Sequence, residues 1–188
     1  MPIEVEVKAK IKNLEEIEYK LIERGAKLVE IVNQCDHYFN HPTRDFGKTD
    51  EALRIREDGE RVYLTYKGAK MDLKSKTRKE FSVELIQYEQ IYQILKSLGF
   101  TLVLRVEKER KIYQLDNLTF CLDAVIGLGS FLEVEQVVVK KDVDIKKVRN
   151  KLIQNLISLG ISLEKTTRKS YLELLLEKKN RSRNGSFD

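Results

Sequence analysis

The sequence has little of what stabilises small secreted domains or carries a chain across a membrane. Its 188 residues include two cysteines, two prolines and no tryptophan. Two cysteines are too few for a disulfide framework. No apolar run approaches the ~18 residues that a transmembrane helix needs, and "MPIEVEVKAK" does not have the apolar centre of a signal peptide. We therefore expect a cytoplasmic protein with reduced thiols and no membrane contact.

The scarcity of cysteine and histidine also argues against zinc. Cys35, His37, His41 and Cys121 are the ligand types that zinc prefers. However, Cys35 and His37 are only two residues apart, whereas structural zinc sites usually begin with a wider, repeated pair. The sequence therefore disfavours a zinc site.

Composition predicts one folded domain followed by a short tail. Hydrophobic residues make up 41% of the chain and charged residues 35%, with a formal net charge of +5. Part of that charge lies in "EKKNRSRNGSFD", which is too polar to join a core. We predict a domain over residues 1–178 and a disordered basic tail over 179–188. The tail could contact nucleic acid, but a solvated terminus is the simpler interpretation.

Apolar periodicity predicts strands in two similar groups. Residues alternate between apolar and charged side chains, as in "IEVEVKAKIK", which is typical of strands with two unlike faces. Strands are predicted at 3–12, 27–40, 51–58, 61–68, 78–85, 101–115, 118–126 and 130–139.

Three helices interrupt the strands, and each ends in a similar phrase. They are predicted to begin near Asn13 and to span 87–98 and 142–159, and they end in "LIERGAKL", "LKSLGFTL" and "LISLGISL". The chain thus reads as two halves, about 1–68 and 78–159, plus a C-terminal helix over about 166–178. The fold class is α+β, mainly antiparallel β. Eight strands could close into a barrel with helices packed outside, and an open sheet is the alternative.

The charged strand faces suggest a binding site. In a barrel coated by helices they would point inward and line a tunnel, where buried charges need partners, a metal or a charged ligand. Carboxylates occur in pairs two residues apart, namely Glu4 with Glu6 and Glu133 with Glu135, and suit Mg²⁺ or Mn²⁺. Cations that suit phosphate oxygens are Lys8, Arg54, Arg56, Lys67, Arg78 and Arg110. A solvated outer face is the alternative for any single strand.

At these residues the sequence resembles the CYTH superfamily, the class IV adenylyl cyclases and thiamine triphosphatases, also called triphosphate tunnel metalloenzymes. "EVEVK" resembles the family's Glu-x-Glu-x-Lys signature. The blocks that resemble its later motifs, in order, are "DHYF", "ALRIRE", "LTYKG", "TRKEFSVE", "KERKIY", "LDAVIGLGSFLEVE" and "RKSY". The similarity covers about residues 3–175, with Asn40 where many members carry aspartate.

The resemblance implies an eight-stranded antiparallel barrel around a tunnel that holds a triphosphate with a divalent cation. It implies metal coordination by Glu4, Glu6, Glu133 and Glu135, with Asp123 and Glu80 as supporting carboxylates. It implies phosphate binding by Lys8, Arg54, Arg56, Lys76, Arg78 and Arg110, with Lys169 on a helix that closes over one tunnel mouth. It implies roles in proton transfer for Lys67 and Tyr38.

The function expected from these residues is a triphosphatase that depends on Mg²⁺ or Mn²⁺. Its substrate would be inorganic triphosphate, ATP or thiamine triphosphate. A class IV adenylyl cyclase is the close alternative, although no stretch clearly supplies a base pocket. A non-catalytic binder of polyphosphate or nucleic acid is a third hypothesis, which the carboxylates disfavour because they would repel phosphates without a cation. The sequence leaves open whether the protein forms a homodimer.

Overall fold

The computed structural model describes residues 3–69, 79–138 and 143–184. Its strands are β1 Ile3–Lys10, β2 Lys27–Asn40, β3 Ala52–Asp58, β4 Arg61–Lys67, β5 Glu80–Leu85, β6 Thr101–Leu115, β7 Leu118–Val125, β8 Gly129–Val138 and β9 Thr166–Thr167. Its helices are α1 Leu14–Glu23, α2 Phe46–Thr49, α3 Tyr88–Ser97, α4 Ile145–Ser158 and α5 Tyr171–Asn184, with a short 3-10 helix at Leu163–Lys165. The α+β class with a mainly antiparallel sheet is confirmed.

The strands do not close into a ring among the described residues. Hydrogen bonds give the order β5-β4-β3-β2-β6-β7-β8-β1-β9, with β5 and β9 at the two ends. The closed eight-stranded barrel is therefore not confirmed. Strand β9 was not predicted because two residues are too short to show a periodicity. It pairs with Lys8 and Ala9 of β1.

The chain divides into two compact units, which do not coincide with the predicted sequence halves. The first unit comprises residues 1–31 and 109–188, and the second comprises residues 32–108. The long strands β2 and β6 each run from one unit into the other. The units therefore combine strands that are distant in sequence, and their boundaries fall inside strands instead of in loops.

In the first unit, helices cover the apolar face of the strands. Val5 and Ala9 of β1 belong to the same buried core as Leu152 and Leu156 of α4 and Leu21 of α1. Alternation along β1 places the apolar residues on this face and the charged residues on the other. This arrangement explains why Leu152 and Leu156 have no exposed surface.

In the second unit, α2 and α3 cover one face of β2 to β4. Phe39, Ile55 and Leu95 form the centre of this smaller core, together with Phe46 of α2. Helix α2 is four residues long and was not predicted from the sequence. Asp45 caps it, because its side chain accepts a hydrogen bond from the Gly47 amide.

The predicted helix boundaries agree with the structure except at the C-terminus. The side chain of Asn13 caps α1 by accepting from the Glu16 amide at 3.2 Å. Gly25, Gly99 and Gly160 follow α1, α3 and α4 with φ of 84° to 85°, as the recurring phrase predicts. Helix α5 extends to Asn184, so residues 179–184 are helical where a disordered tail was predicted. Residues 185–188 lie outside the described residues.

Candidate functional site

Two charged clusters carry the predicted site residues, one in each unit. We call Glu4, Glu6, Glu133 and Glu135 the acidic cluster; it lies on β1 and β8 of the first unit. Antiparallel pairing sets Glu6 directly opposite Glu135 and Lys8 opposite Glu133. Because neighbours two apart share a face, this register brings the two predicted carboxylate pairs onto one face of adjacent strands.

Glu135 shows how closely the carboxylates are placed. Burial raises the pKa of Glu135 to about 7, and the charge of Glu4 adds to that rise. Glu133 and Glu6 act in the same direction, while Arg110 opposes them. A crowded set of hard oxygen donors is the chemistry that suits Mg²⁺ or Mn²⁺. The residues present therefore fit the divalent cation that the resemblance implies.

Lys8 is held within the acidic cluster. Its Nζ lies 2.9 Å from Glu133 and 3.9 Å from Glu6, and it sits 4.0 Å from the centre of the Tyr171 ring. Burial acts to lower the pKa of Lys8, but the charges of Glu133 and Glu6 outweigh it and the pKa is raised. Lys8 therefore stays protonated and is paired with Glu133, and its predicted contact with phosphate stays a prediction.

Arg110 and Asp123 form a buried ion pair in the first unit. Arg110 Nε and one terminal nitrogen each donate to an Asp123 oxygen at 2.6 Å, and Arg110 also contacts Glu133. Tyr171 donates from its hydroxyl to Asp123 at 2.7 Å, and Asp123 has no exposed surface. Both predicted residues thus lie next to the acidic cluster and bind each other. The roles predicted for them stay predictions.

The second cluster contains two of the predicted phosphate-binding residues, Arg54 and Arg56. We call Asp36, Tyr38, Arg54 and Arg56 the arginine cluster; it lies on β2 and β3 of the second unit. Arg56 donates to both oxygens of Asp36, at 2.6 and 2.8 Å, and Arg54 lies 3.5 Å from Asp36. The cross-strand register aligns Asp36 with Arg56 and Tyr38 with Arg54. The pairing of Asp36 with both arginines was not predicted from the sequence.

Arg54 has a buried donor without a partner. Its Nε makes no hydrogen bond although it is shielded from solvent. Leaving a buried donor unsatisfied costs about 1–3 kcal/mol, and more for a charged group. An anion on this strand face would satisfy it. Among the described residues, this orphan donor is the observation that points most directly to a negatively charged ligand.

Three other predicted site residues belong to neither the acidic cluster nor the arginine cluster, namely Lys67, Glu80 and Lys169. Lys67 of β4 lies opposite Glu80 of β5, with Nζ 3.0 Å from its carboxylate. Glu80 belongs to the second unit, and its predicted role as a supporting carboxylate stays a prediction. Lys169 of the first unit pairs with Glu177 at 2.5 Å and is half-exposed. Lys76 and Arg78 lie outside the described residues.

Two buried residues near these clusters were not among the predicted site residues. Lys108 of β6 is 5% exposed and its charge acts on Asp36. Tyr171 begins α5 and reaches both Asp123 and Lys8. Parity along β6 puts Lys108 on the same face as Arg110, which is a signal present in the sequence. Tyr171 is the last residue of the "RKSY" block, but its contacts with Asp123 and Lys8 depend on how α5 packs.

Asp36 makes the stability of the protein sensitive to acid. Burial alone would raise the pKa of Asp36, but the charge of Arg54 and the hydrogen bonds from Arg56 outweigh it, so the pKa is well below its usual range. A depressed carboxyl pKa stabilises the fold above the unfolded value of about 4, and this contribution is lost as the pH falls further. Chemical unfolding between pH 7 and pH 2 should show a steep loss below about pH 4.

Asp36→Asn tests this assignment. The free energy of unfolding of this variant should be roughly 3 kcal/mol lower than that of the wild type at pH 7, because two arginines lose a buried partner. It should also fall less steeply below about pH 4 than that of the wild type. Asp116→Asn is the control, because Asp116 is exposed in the turn after β6 with φ of 53°, which asparagine also adopts. An equally steep loss of stability below about pH 4 in Asp36→Asn would contradict the assignment.

The fold and the two clusters define an α+β protein with antiparallel strands. One face of these strands is apolar, and the other carries side chains of both charges that pair with each other. The chain belongs to the CYTH domain family, whose sequence profile matches residues 2–171. The resemblance drawn from the motifs is thereby confirmed. In the described residues, no helix has both the length and the apolar composition needed to cross a membrane.

Relatives and similar structures agree with this membership. A candidate adenylate cyclase from Methanocaldococcus jannaschii is 43% identical over 173 residues, which cover 92% of this chain and 98% of that protein. A Pyrococcus horikoshii structure is 44% identical with a TM-score of 0.83, covering 94% of this chain and 99% of that one. A candidate adenylyl cyclase from Hippeastrum, described as having a dominant triphosphatase activity, is 16% identical with a TM-score of 0.67 over 95% of this chain and 96% of that one. This last likeness concerns the fold alone.

Proposed function

We propose that this protein is an enzyme that hydrolyses a triphosphate-containing substrate with the help of Mg²⁺ or Mn²⁺. The single observation that carries the proposal is the buried, unpartnered Nε of Arg54 in the arginine cluster. The acidic cluster supplies the complementary requirement, since its carboxylates would repel a polyphosphate without a cation. A divalent cation would satisfy the acidic cluster, and a phosphate oxygen would satisfy the Arg54 donor.

Each cluster has a definite task in this proposal. Glu4, Glu6, Glu133 and Glu135 would hold the cation, which when bound offsets the charge that develops on phosphate oxygens. Arg54 donates its orphan N–H to a phosphate oxygen, and Arg56 adds a fixed guanidinium charge. Such groups stabilise the transition state because they need no reorganisation during the reaction.

Lys67 and Glu80 form the candidate proton-transfer pair. Lys67 is partly exposed, and its Nζ lies 3.0 Å from the Glu80 carboxylate. Lys67 can donate a proton to a leaving phosphate oxygen, and Glu80 can take up a proton from the attacking water. The cross-strand register keeps the two groups together, so neither depends on a mobile side chain for its partner.

Replacing Lys67 with alanine tests this step. Turnover should fall by about 10²- to 10⁴-fold, the range typical of lost acid–base catalysis, with metal affinity unchanged. Arg61→Ala is the matched control, because Arg61 is an exposed cation on the same face of β4, and it should retain near-normal turnover. Normal turnover in Lys67→Ala would remove Lys67 from the mechanism.

Product analysis tests the function as a whole. The purified protein is incubated with Mg²⁺ or Mn²⁺ and separately with inorganic triphosphate, ATP and thiamine triphosphate. Orthophosphate release from one of these substrates supports the proposal. Cyclic AMP and pyrophosphate from ATP would instead establish the adenylyl cyclase alternative, which the name of the Methanocaldococcus jannaschii relative favours. No turnover of any substrate, with binding unaffected by Glu6→Ala and Glu135→Ala, would overturn both and leave a non-catalytic binder.

A further inference from the structure

Three metal-ligating side chains meet on the second unit, on the opposite side of β2 from the arginine cluster. They are Cys35 and His37 of β2 and Glu57 of β3, and we call them the Cys–His–Glu group. Their ligand atoms all lie within 4.8 Å of one another. Asp36 lies between Cys35 and His37 in sequence and points to the other face, because successive strand residues alternate. The group is therefore separate from the proposed phosphate-binding residues.

The spacing that disfavoured zinc in the sequence becomes favourable in a strand. Residues two apart in a strand share a face, so Cys35 and His37 need no turn to converge. The register then sets Glu57 directly opposite Cys35. Of the other zinc ligand types in the sequence, His41 instead contacts Thr43 and Phe46, and Cys121 lies in the first unit.

The distances are close to those of a coordination sphere. His37 Nε2 lies 3.3 Å from Cys35 Sγ and 2.7 Å from Glu57 Oε1. Tetrahedral zinc with ordinary bond lengths separates sulfur and nitrogen by about 3.5 Å and nitrogen and oxygen by about 3.4 Å. The third pair, Cys35 Sγ and the Glu57 carboxylate, lies within 4.8 Å, and the half-exposed Glu57 side chain can supply the movement that a tetrahedral site requires.

A neighbouring helix orients the histidine ring. The hydroxyl of Tyr88, at the start of α3, lies 3.2 Å from His37 Nδ1, and the two ring centres are 4.5 Å apart. Metal-binding histidines usually engage their second ring nitrogen in this way, which fixes the nitrogen left for the ion. Here that nitrogen is Nε2, the atom that Cys35 and Glu57 already approach.

We propose that Cys35, His37 and Glu57 form a binding site for Zn²⁺, with the fourth position open to solvent. A thiolate, an imidazole and a carboxylate suit zinc far better than the Mg²⁺ or Mn²⁺ expected at the acidic cluster. The charge of Zn²⁺ is balanced by its own ligands, because one thiolate and one carboxylate supply two negative charges. The ion would link β2 to β3, the strands that carry Asp36, Arg54 and Arg56.

Arg105 assists the thiolate that the site requires. The guanidinium nitrogen lies 3.4 Å from Cys35 Sγ. Zinc itself favours deprotonation of a coordinating thiol, so the ion and Arg105 act on the sulfur in the same direction.

Metal titration of the intact protein tests the site. Chelator-treated protein is titrated with Zn²⁺, and with Co²⁺ as an optical probe, in excess Mg²⁺ to occupy the acidic cluster. One equivalent should bind, and Co²⁺ should give the near-ultraviolet charge-transfer band of a thiolate ligand. Cys35→Ser should abolish that band, and Cys35→Ser and Glu57→Gln should each weaken Zn²⁺ binding by about 100-fold.

Control variants separate the site from other ligands. His41→Gln removes the other histidine and should leave Zn²⁺ affinity unchanged, whereas Tyr88→Phe should weaken it about tenfold through loss of ring orientation. Glu57→Gln changes a partly exposed residue, so a folded variant is available even if Cys35→Ser is unstable. Absence of stoichiometric Zn²⁺ binding, or binding that neither variant weakens, would overturn the proposal whatever the outcome of the triphosphate assays.

Discussion

Replacing Arg110 with methionine should lower the free energy of unfolding by about 3–5 kcal/mol, which is the usual cost of removing one partner from a buried ion pair. Arg110 donates twice to Asp123 and also contacts Glu133, and both carboxylates are buried. Methionine occupies a similar volume but leaves Asp123 and Glu133 without this cation. The melting temperature should fall by about 6 to 20 °C for a chain of this length.

Lys111→Met is the matched control for Arg110→Met. Lys111 is the next residue of β6, on the opposite face, and pairs with Glu18 at 2.8 Å while remaining partly exposed. Its loss should cost at most about 1 kcal/mol, as for other exposed pairs. The triple variant with Arg110→Met, Asp123→Leu and Glu133→Leu should recover most of the stability, because an apolar replacement leaves no buried charge. Equal melting temperatures for Arg110→Met and Lys111→Met would contradict the assigned burial of the pair.

Strand and helix positions were largely predictable because the sequence repeats its local signals. Alternation over long segments predicted β2 and β6, and their observed limits match the predicted ones. Helix α2 and strand β9 escaped prediction because elements of four and two residues are too short to show a period. Helix α5 was predicted to end before the basic tail, but it continues to Asn184. Its last turns are exposed and polar, so their composition resembles that of a solvated tail.

The sequence indicated which residues to consider for the candidate site, but not which of them pair with each other. Face parity selects Asp36, Arg54 and Arg56, yet it cannot say that Asp36 binds both arginines, since that depends on the register between β2 and β3. The same limit applies to Arg110, which parity suggests as a phosphate ligand and the fold pairs with Asp123. Register is set by turns and packing along whole strands, so individual residues do not reveal it.

Glu135→Gln should separate activity from stability. If the acidic cluster holds the catalytic cation, loss of one carboxylate should reduce triphosphate turnover by at least about 100-fold. Metal contacts contribute several kcal/mol to transition-state stabilisation, and about 1.4 kcal/mol corresponds to a tenfold change in rate. Without metal, the same change should stabilise the fold. Burial and Glu4 raise the pKa of Glu135 to about 7, so at pH 8 the charged carboxylate opposes folding.

The stabilisation of metal-free Glu135→Gln should be about 1–3 kcal/mol at pH 8, and it should vanish near pH 4, where the carboxyl is protonated in both states. Added Mg²⁺ should then raise the melting temperature of the wild type more than that of the variant, because a ligand stabilises the fold in proportion to its affinity. Glu109→Gln, an exposed change on β6, should alter neither activity nor stability. A Glu135→Gln variant that keeps full turnover would show that the acidic cluster holds no catalytic cation, because that cation would have lost one of its ligands. A metal-free variant that loses stability at pH 8 would show that the charge of Glu135 does not oppose folding.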